Sequence, residues 1–178
     1  MKDWNVVVTS QANEERRLLA ELEPLGEFHP SGFREVLVGR VPEVGEFLEI
    51  LRRYWEDKPF FPQLLSAVVP VRTVFPFTLE NLLDRLKEQV LALAPEINDA
   101  PFYVRMRRRG HKGVLSSQEL EQNLDRFLME ELHARGQKCR VDITQAQVIV
   151  AVETVHNQCG LGLITREMKE RYPFIKVK

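Results

Sequence analysis

The chain has 178 residues, of which 44% are hydrophobic and 29% charged. This composition suits a globular protein of one or two domains that buries a core. The net charge of −1 excludes a strongly basic or acidic class of protein, and two cysteines are too few for a disulfide-rich scaffold. No closely spaced set of Cys and His residues suggests a zinc site. We find no signal peptide and no membrane-length apolar run, so we expect a cytoplasmic protein with no membrane partner.

The charge is divided unevenly along the chain. Residues 1–100 carry a net charge of −6 and residues 101–178 a net charge of +5. A polyanion would therefore dock on the second half.

Residues 1–75 alternate between β-rich and amphipathic segments in an order typical of a ferredoxin-like domain, strand, helix, strand, strand, helix, strand. We therefore predict a ferredoxin-like domain at 1–75. Its predicted elements are a strand at 4–9, a helix at 14–25 capped by Asn13 and stopped by Gly26, a bend or hairpin at 28–33, a strand at 35–41, a helix from Pro42 to about 57, and a β-rich stretch at 67–75 interrupted by Pro70.

Residues 76–178 are predicted to form a second domain of helices packed on a small mixed sheet, which makes the fold class α+β. A helix at 78–93 is ended by Pro95, and the strand at 102–107 precedes a long helix that Ser116 caps and Gly136 stops. Further strands are predicted at 140–143, 147–155 and 159–164, followed by a last helix from Thr165 to about 171 and a short tail.

The connection between the strand at 102–107 and the long helix is rich in positive charge. No acidic residue occurs between Asp99 and Glu119. Guanidinium groups beside a helix N-terminus suit phosphate oxygens, although a solvated charge run beside a core strand explains the same pattern. The candidate phosphate contacts are Arg105, Arg107, Arg108, Arg109 and Lys112.

Three polar or aromatic residues extend this candidate site. Ser116 and Ser117 could offer hydroxyl and helix-terminal N–H groups to a phosphate, while simple capping explains Ser116 equally well. Tyr103 shares a strand face with Arg105 and could stack on an unpaired base, or it packs in the core.

The sequence offers weak candidates for catalysis. His111, His156, Cys159 and Asp142 could be grouped as a Cys–His–Asp set, but nothing in their spacing brings them together. Cys139 and Cys159 are expected to be buried thiols, with a disulfide between them left open. We expect no catalytic residue, no cofactor and no metal site.

The second half resembles a THUMP domain, a module of thiouridine synthetases, RNA methylases and pseudouridine synthases. The resemblance covers about residues 76–165. It rests on the segments FYVRMRRRG, SSQELEQNLDRFLMEEL, CRVDI, QVIVAVETV and CGLGLI.

The resemblance implies binding of tRNA or another structured RNA, often through the acceptor stem and the single-stranded 3′ end. In that family the chemistry resides in a further catalytic domain, and we expect none after Lys178. The chain therefore resembles a stand-alone THUMP protein, similar to tRNA-binding adaptors of an RNA acetyltransferase. Two alternatives remain open, namely a protein-interaction adaptor in which RNA contact is incidental and a small enzyme that uses Cys159.

Overall fold

The structure is a computed structural model that describes residues 1–177. The chain divides into two compact units, which we call the N-terminal unit (residues 1–74 with 167–177) and the central unit (Phe75–Arg166). No helix within residues 1–177 is long and apolar enough to cross a membrane.

The N-terminal unit contains a four-stranded antiparallel sheet in the order β2-β3-β1-β4. Strand β1 lies between β3 and β4, and its valines are buried. Val7 is opposite Val38 on β3 and Val69 on β4. The β-α-β-β-α-β element order is the predicted one. Its elements are β1 (Val6–Ser10), α1 (Glu15–Leu22), β2 (Glu27–Pro30), β3 (Val36–Arg40), α2 (Val44–Asp57) and β4 (Leu65–Pro70).

The predicted cap of α1 is wrong. Asn13 has a φ of 64°, and the N-cap position is occupied by Glu14, whose side chain makes no capping bond. Gly26 does end the helical segment that begins with α1, and its place beside β3 explains why the residue is a glycine. A Cβ on Gly26 would lie 2.5 Å from the carbonyl oxygen of Arg40, so only glycine fits beside β3.

The β-rich stretch at 67–75 divides between two sheets. Strand β4 ends at Pro70 in the four-stranded sheet, and β5 (Thr73–Pro76) joins the five-stranded one. A strand pattern predicts extended backbone but contains no information about which sheet the strand joins.

Residues 167–177 belong to the N-terminal unit, which corrects the prediction that they are part of the second domain. They follow the start of α6 (Arg166–Arg171). The backbone N–H of Val68 donates to the Phe174 carbonyl oxygen (2.9 Å), and the Phe174 ring is fully buried 5.9 Å from the Trp55 ring. The apolar residues of this short tail predict that it is buried, but the sequence does not show which surface of the protein buries them.

The central unit contains a five-stranded mixed sheet in the order β5-β9-β8-β6-β7. Strand β6 is parallel to both β7 and β8, whereas β8 and β9 form an antiparallel hairpin. Its elements are α3 (Leu82–Val90), α4 (Ala94–Ile97), β6 (Pro101–Arg107), α5 (Ser117–Ala134), β7 (Arg140–Val141), β8 (Val148–Val155) and β9 (Gln158–Thr165).

The core of the central unit lies between α3, α5 and one face of the sheet. Leu124 and Leu128 of α5 pack with Val104 of β6 and Val150 of β8, and every residue of β8 is buried. The prediction of a strand covered on both faces is confirmed. Pro95 does not end the preceding helix, because it occupies the first turn of α4, where its missing N–H costs nothing.

Candidate nucleic-acid interface

The predicted site is a connection that we call the basic loop, residues 107–116, between β6 and α5. Ser116 caps α5, as predicted, because its hydroxyl accepts a bond from the Glu119 N–H (3.2 Å). The backbone turns through left-handed conformations at Gly110 (φ 102°), His111 (φ 55°) and Gly113 (φ 80°). Two of these three positions are glycines, which adopt positive φ without a Cβ penalty.

The basic loop is bonded to the turn between β8 and β9. The Arg109 N–H donates to the hydroxyl of Thr154 (3.1 Å), and the His156 N–H donates to the Arg109 carbonyl oxygen (3.1 Å). Further along the loop, a ring nitrogen of His111 lies 2.9 Å from the side-chain oxygen of Asn157, the residue after His156. The basic loop is therefore held by residues of β8 and the β8–β9 turn, which lie more than forty residues after their bonding partners in the sequence.

Arg109 does not point into solvent. Its guanidinium donates to the Glu153 carboxylate (3.0 Å), and the two side chains are 8% and 5% exposed. Burial raises the pKa of Glu153, against the opposing effect of Arg109. The placement of Arg109 among the exposed phosphate contacts is therefore corrected: its charge is already neutralised inside the protein.

Arg105 is also largely engaged within the central unit. Its side chain is 29% exposed, lies 3.8 Å from the Glu121 carboxylate, and has its guanidinium carbon 5.3 Å from the centre of the Tyr103 ring. Tyr103 itself is only 6% exposed. The hypothesis that Tyr103 stacks on a base is corrected, because a nucleobase needs an accessible ring face and this one is covered.

The remaining cations of the basic loop face outward to different degrees. Arg107 and Lys112 are exposed, and neither forms an ion pair with any residue of the described chain. Arg108 is half-buried and donates to the Gly110 carbonyl oxygen. Ser116 is exposed, and Ser117 is half-buried at the start of α5. The structure thus places these five residues along the basic loop and the first residue of α5. Arg109 lies in the same loop but is buried, and Arg105 and Tyr103 lie on β6.

Two carboxylates that the sequence pattern did not single out cover an open strand edge. Strand β7 pairs only with Pro101 and Phe102, so the outward N–H groups of β6 beyond them lack a strand partner. The Val104 N–H donates to Asp125 (2.8 Å) and the Met106 N–H to Glu121 (2.7 Å). Their i, i+4 spacing on α5 was the available signal, because it places both side chains on one helix face.

Asp125 has an unusual environment for a carboxylate. Burial raises its pKa to about 6, opposed by the Val104 bond and assisted by the neighbouring Glu121 charge. This group therefore titrates at mildly acidic pH, unlike an ordinary surface aspartate.

The structure does not assemble the catalytic set that the sequence suggested. Cys159 is on β9 and Asp142 follows β7, and these strands are separated by β8 and β6. Cys139 and Cys159 are free and buried, and burial raises the pKa of both thiols, which disfavours the reactive thiolate. Within residues 1–177, no group of three or more His, Cys, Asp or Glu side chains could hold a metal ion.

Comparison with known proteins identifies the domain that contains the basic loop. Residues 80–164 match the family model of the THUMP domain, so the central unit contains a THUMP domain. This domain binds RNA and is tied to tRNA modification. No curated protein matches the chain.

Solved structures share the fold across both units. The chain aligns over 90% of its length with TrmN from Thermus thermophilus (TM-score 0.61, 23% identity, 45% of that chain). It aligns equally far with PH1313 from Pyrococcus horikoshii (TM-score 0.58, 15% identity, 54% of that chain). A 4-thiouridine synthetase in complex with RNA and bound ATP also matches over 90% (TM-score 0.59, 11% identity, 41% of that chain). The chain therefore spans about half the length of these proteins, and identities this low show a common fold only.

Proposed function

We propose that this protein is a cytoplasmic, non-catalytic tRNA-binding adaptor that presents the acceptor stem and 3′ end of a tRNA to a separate modifying enzyme, such as an RNA acetyltransferase. The observation that carries the proposal is the exposed positive charge of the basic loop within an RNA-binding domain. Arg107 and Lys112 are free to contact phosphates, and Ser116 and Ser117 mark the adjacent helix N-terminus.

The geometry of the basic loop also supports this proposal. Its backbone is bonded to the β8–β9 turn, so Arg107 and Arg108 start from an ordered base. Preorganised groups lose less conformational freedom on binding than flexible ones do. Contacts to phosphate would make the affinity fall as salt concentration rises, since bound cations release counterions from the RNA.

The first experiment measures tRNA affinity as a function of salt concentration for the wild type and for Arg107→Ala/Arg108→Ala. If both side chains contact phosphates, the slope of log K against log salt should become shallower by about 1.4 to 1.8, since each phosphate contact contributes about 0.7 to 0.9. The matched control is Arg17→Ala/Arg34→Ala in the N-terminal unit, which removes the same charge from side chains that are 63% and 80% exposed. Equal slopes for the two double variants would remove the basic loop from the site.

The second experiment concerns the part of the tRNA that is bound. We expect a tRNA lacking its unpaired 3′ nucleotides to bind more weakly than the intact molecule, because fewer phosphates and bases can reach the basic loop. A minihelix with the same acceptor stem and an intact 3′ end is the control. Equal affinity of intact and shortened tRNA would contradict the acceptor-end part of the proposal.

A second candidate function is a protein-interaction adaptor, which one observation favours. Leu79 and Val114 are 39% and 70% exposed and line one groove of the central unit beside the start of α5. Exposed aliphatic side chains that share a groove suit a protein contact better than a phosphate. Recovery of a modifying enzyme on the immobilised protein, undiminished by RNase and lost in Leu79→Ser/Val114→Ser, would support this candidate over the first.

A further inference from the structure

The buried pair of Arg109 and Glu153 joins the first part of the basic loop to β8. Glu153 is opposite Arg107 in the register of β8 with β6, and its carboxylate accepts the bond from Arg109 two residues further on. The backbone of Arg109 is bonded on both sides, from its N–H to Thr154 and from its carbonyl oxygen to the His156 N–H. Arg109 is thus tied to the β8–β9 hairpin by its side chain and by its main chain.

This pair is more than filling of the core. An arginine and a glutamate in the interior lose their hydration, and apolar residues of the same size would often give equal or greater stability. An ion pair with a directional hydrogen bond can instead fix one geometry, and we apply that hypothesis to this pair. The residues whose geometry depends most directly on Arg109 are its neighbours Arg108 and Gly110, which are joined by their own hydrogen bond.

We propose that Arg109 and Glu153 are positioning residues for RNA binding: their buried ion pair holds the basic loop so that Arg107, Arg108 and Lys112 face the same RNA strand. This inference rests on the proposed function and adds a role for two residues that do not contact the RNA. It also reverses the role that the sequence suggested for Arg109.

The decisive variant is Glu153→Gln, because two explanations predict opposite signs. Removing a negative charge beside a polyanion site strengthens binding by electrostatics alone. If Glu153 instead positions the loop through Arg109, glutamine keeps an acceptor oxygen but loses the charge that balances the buried guanidinium, so the hold on the loop weakens. The affinity for tRNA should then fall about tenfold, because several side chains must be ordered on binding. Affinity equal to or tighter than that of the wild type would overturn the proposal.

A second variant, Arg109→Met/Glu153→Met, separates positioning from packing. It leaves the net charge unchanged and replaces the pair with apolar side chains, so that the fold is expected to survive. We expect tRNA affinity to fall by a factor similar to that of Glu153→Gln. Wild-type affinity in the double variant would show that the pair only fills space. If the double variant binds weakly while Glu153→Gln binds tightly, Arg109 contacts phosphate directly and the proposal is overturned.

Amide hydrogen exchange without RNA provides an independent measurement. In Glu153→Gln, the hydrogen-bonded amides of Arg109, Val114 and Leu115 should exchange at least about tenfold faster, while those around Leu124 and Leu128 in the middle of α5 should remain unchanged. Unchanged exchange in the basic loop would overturn the inference.

Arg107→Ala/Arg108→Ala serves as the reference for tRNA affinity. If it binds tRNA like the wild type, the proposed function fails. If it alone loses affinity, only the positioning role fails.

Discussion

Both units contain arginine–glutamate pairs, and one pair from each unit makes an instructive comparison. In the N-terminal unit, Arg171 donates two bonds to Glu49 (2.8 and 2.7 Å), and the side chains are 51% and 32% exposed. In the central unit, Arg109 donates one bond to Glu153, and both side chains are almost fully buried. The pair with more hydrogen bonds is the one closer to water.

The pKa shifts of the two glutamates show which difference matters. Hydrogen bonds from Arg171 hold the pKa of Glu49 well below its usual range, whereas burial raises the pKa of Glu153 although Arg109 opposes that shift. Near solvent the ion pair favours the charged carboxylate, and in the interior desolvation outweighs the attraction. We therefore expect the protein to be more sensitive to the loss of one partner in the buried pair than in the exposed pair.

The largest expected effect is that of Arg109→Ala. Removing the guanidinium leaves a buried carboxylate without its partner, and the free energy of unfolding should fall by about 3–5 kcal/mol. Urea denaturation at neutral pH measures this value, and Arg171→Ala is the matched control. A control variant that is destabilised as much as Arg109→Ala would break the comparison between the two pairs.

An intermediate effect is expected at Asp125, a half-buried carboxylate that is bonded to a backbone N–H. Burial raises its pKa from 3.8 to about 6, so between these values the folded state binds more protons than the unfolded state. This group therefore lowers stability as pH rises from about 4 to 6. In Asp125→Asn that part of the decline should disappear from unfolding curves measured across this range, because the amide does not titrate.

The control for Asp125→Asn is Asp84→Asn, which changes an exposed carboxylate in the first turn of α3. This variant should retain the wild-type decline between pH 4 and 6. A decline that persists in Asp125→Asn would mean that another group is responsible for it.

The smallest expected effect is that of Glu49→Gln. The lowered pKa of Glu49 means that its pairing stabilises the fold above the ordinary glutamate pKa, and that this contribution is lost as pH falls below it. Since both partners contact solvent, thermal unfolding at neutral pH should change least in this variant, and the difference should shrink further in 1 M salt because salt screens exposed charges. A salt-independent loss as large as that of Arg109→Ala would contradict this ranking.

Much of the central unit followed from local patterns. Alternation identified β6, the serine before an apolar helix pattern identified the start of α5, and a continuous apolar run identified β8. These signals are short-range, since strand alternation, capping and helical periodicity depend on neighbours within a few residues. The position of the basic loop was therefore predictable from the sequence.

The roles of individual cations in that loop were not predictable. The strand period stops at Arg107, and the left-handed turns at Gly110, His111 and Gly113 then direct each side chain separately. The partner that buries Arg109 lies 44 residues further along the chain. A run of arginines in the sequence cannot show which member meets that partner.

The sequence by itself determined the order of strands and helices, the positive charge between β6 and α5, and the THUMP character of residues 80–164. Only the tertiary structure decided that residues 167–177 pack on the N-terminal unit and that Arg109 is an internal residue while Arg107 and Lys112 are surface residues. The physical reason is the same in both cases: burial depends on what lies opposite a side chain, and contacts between distant segments determine that.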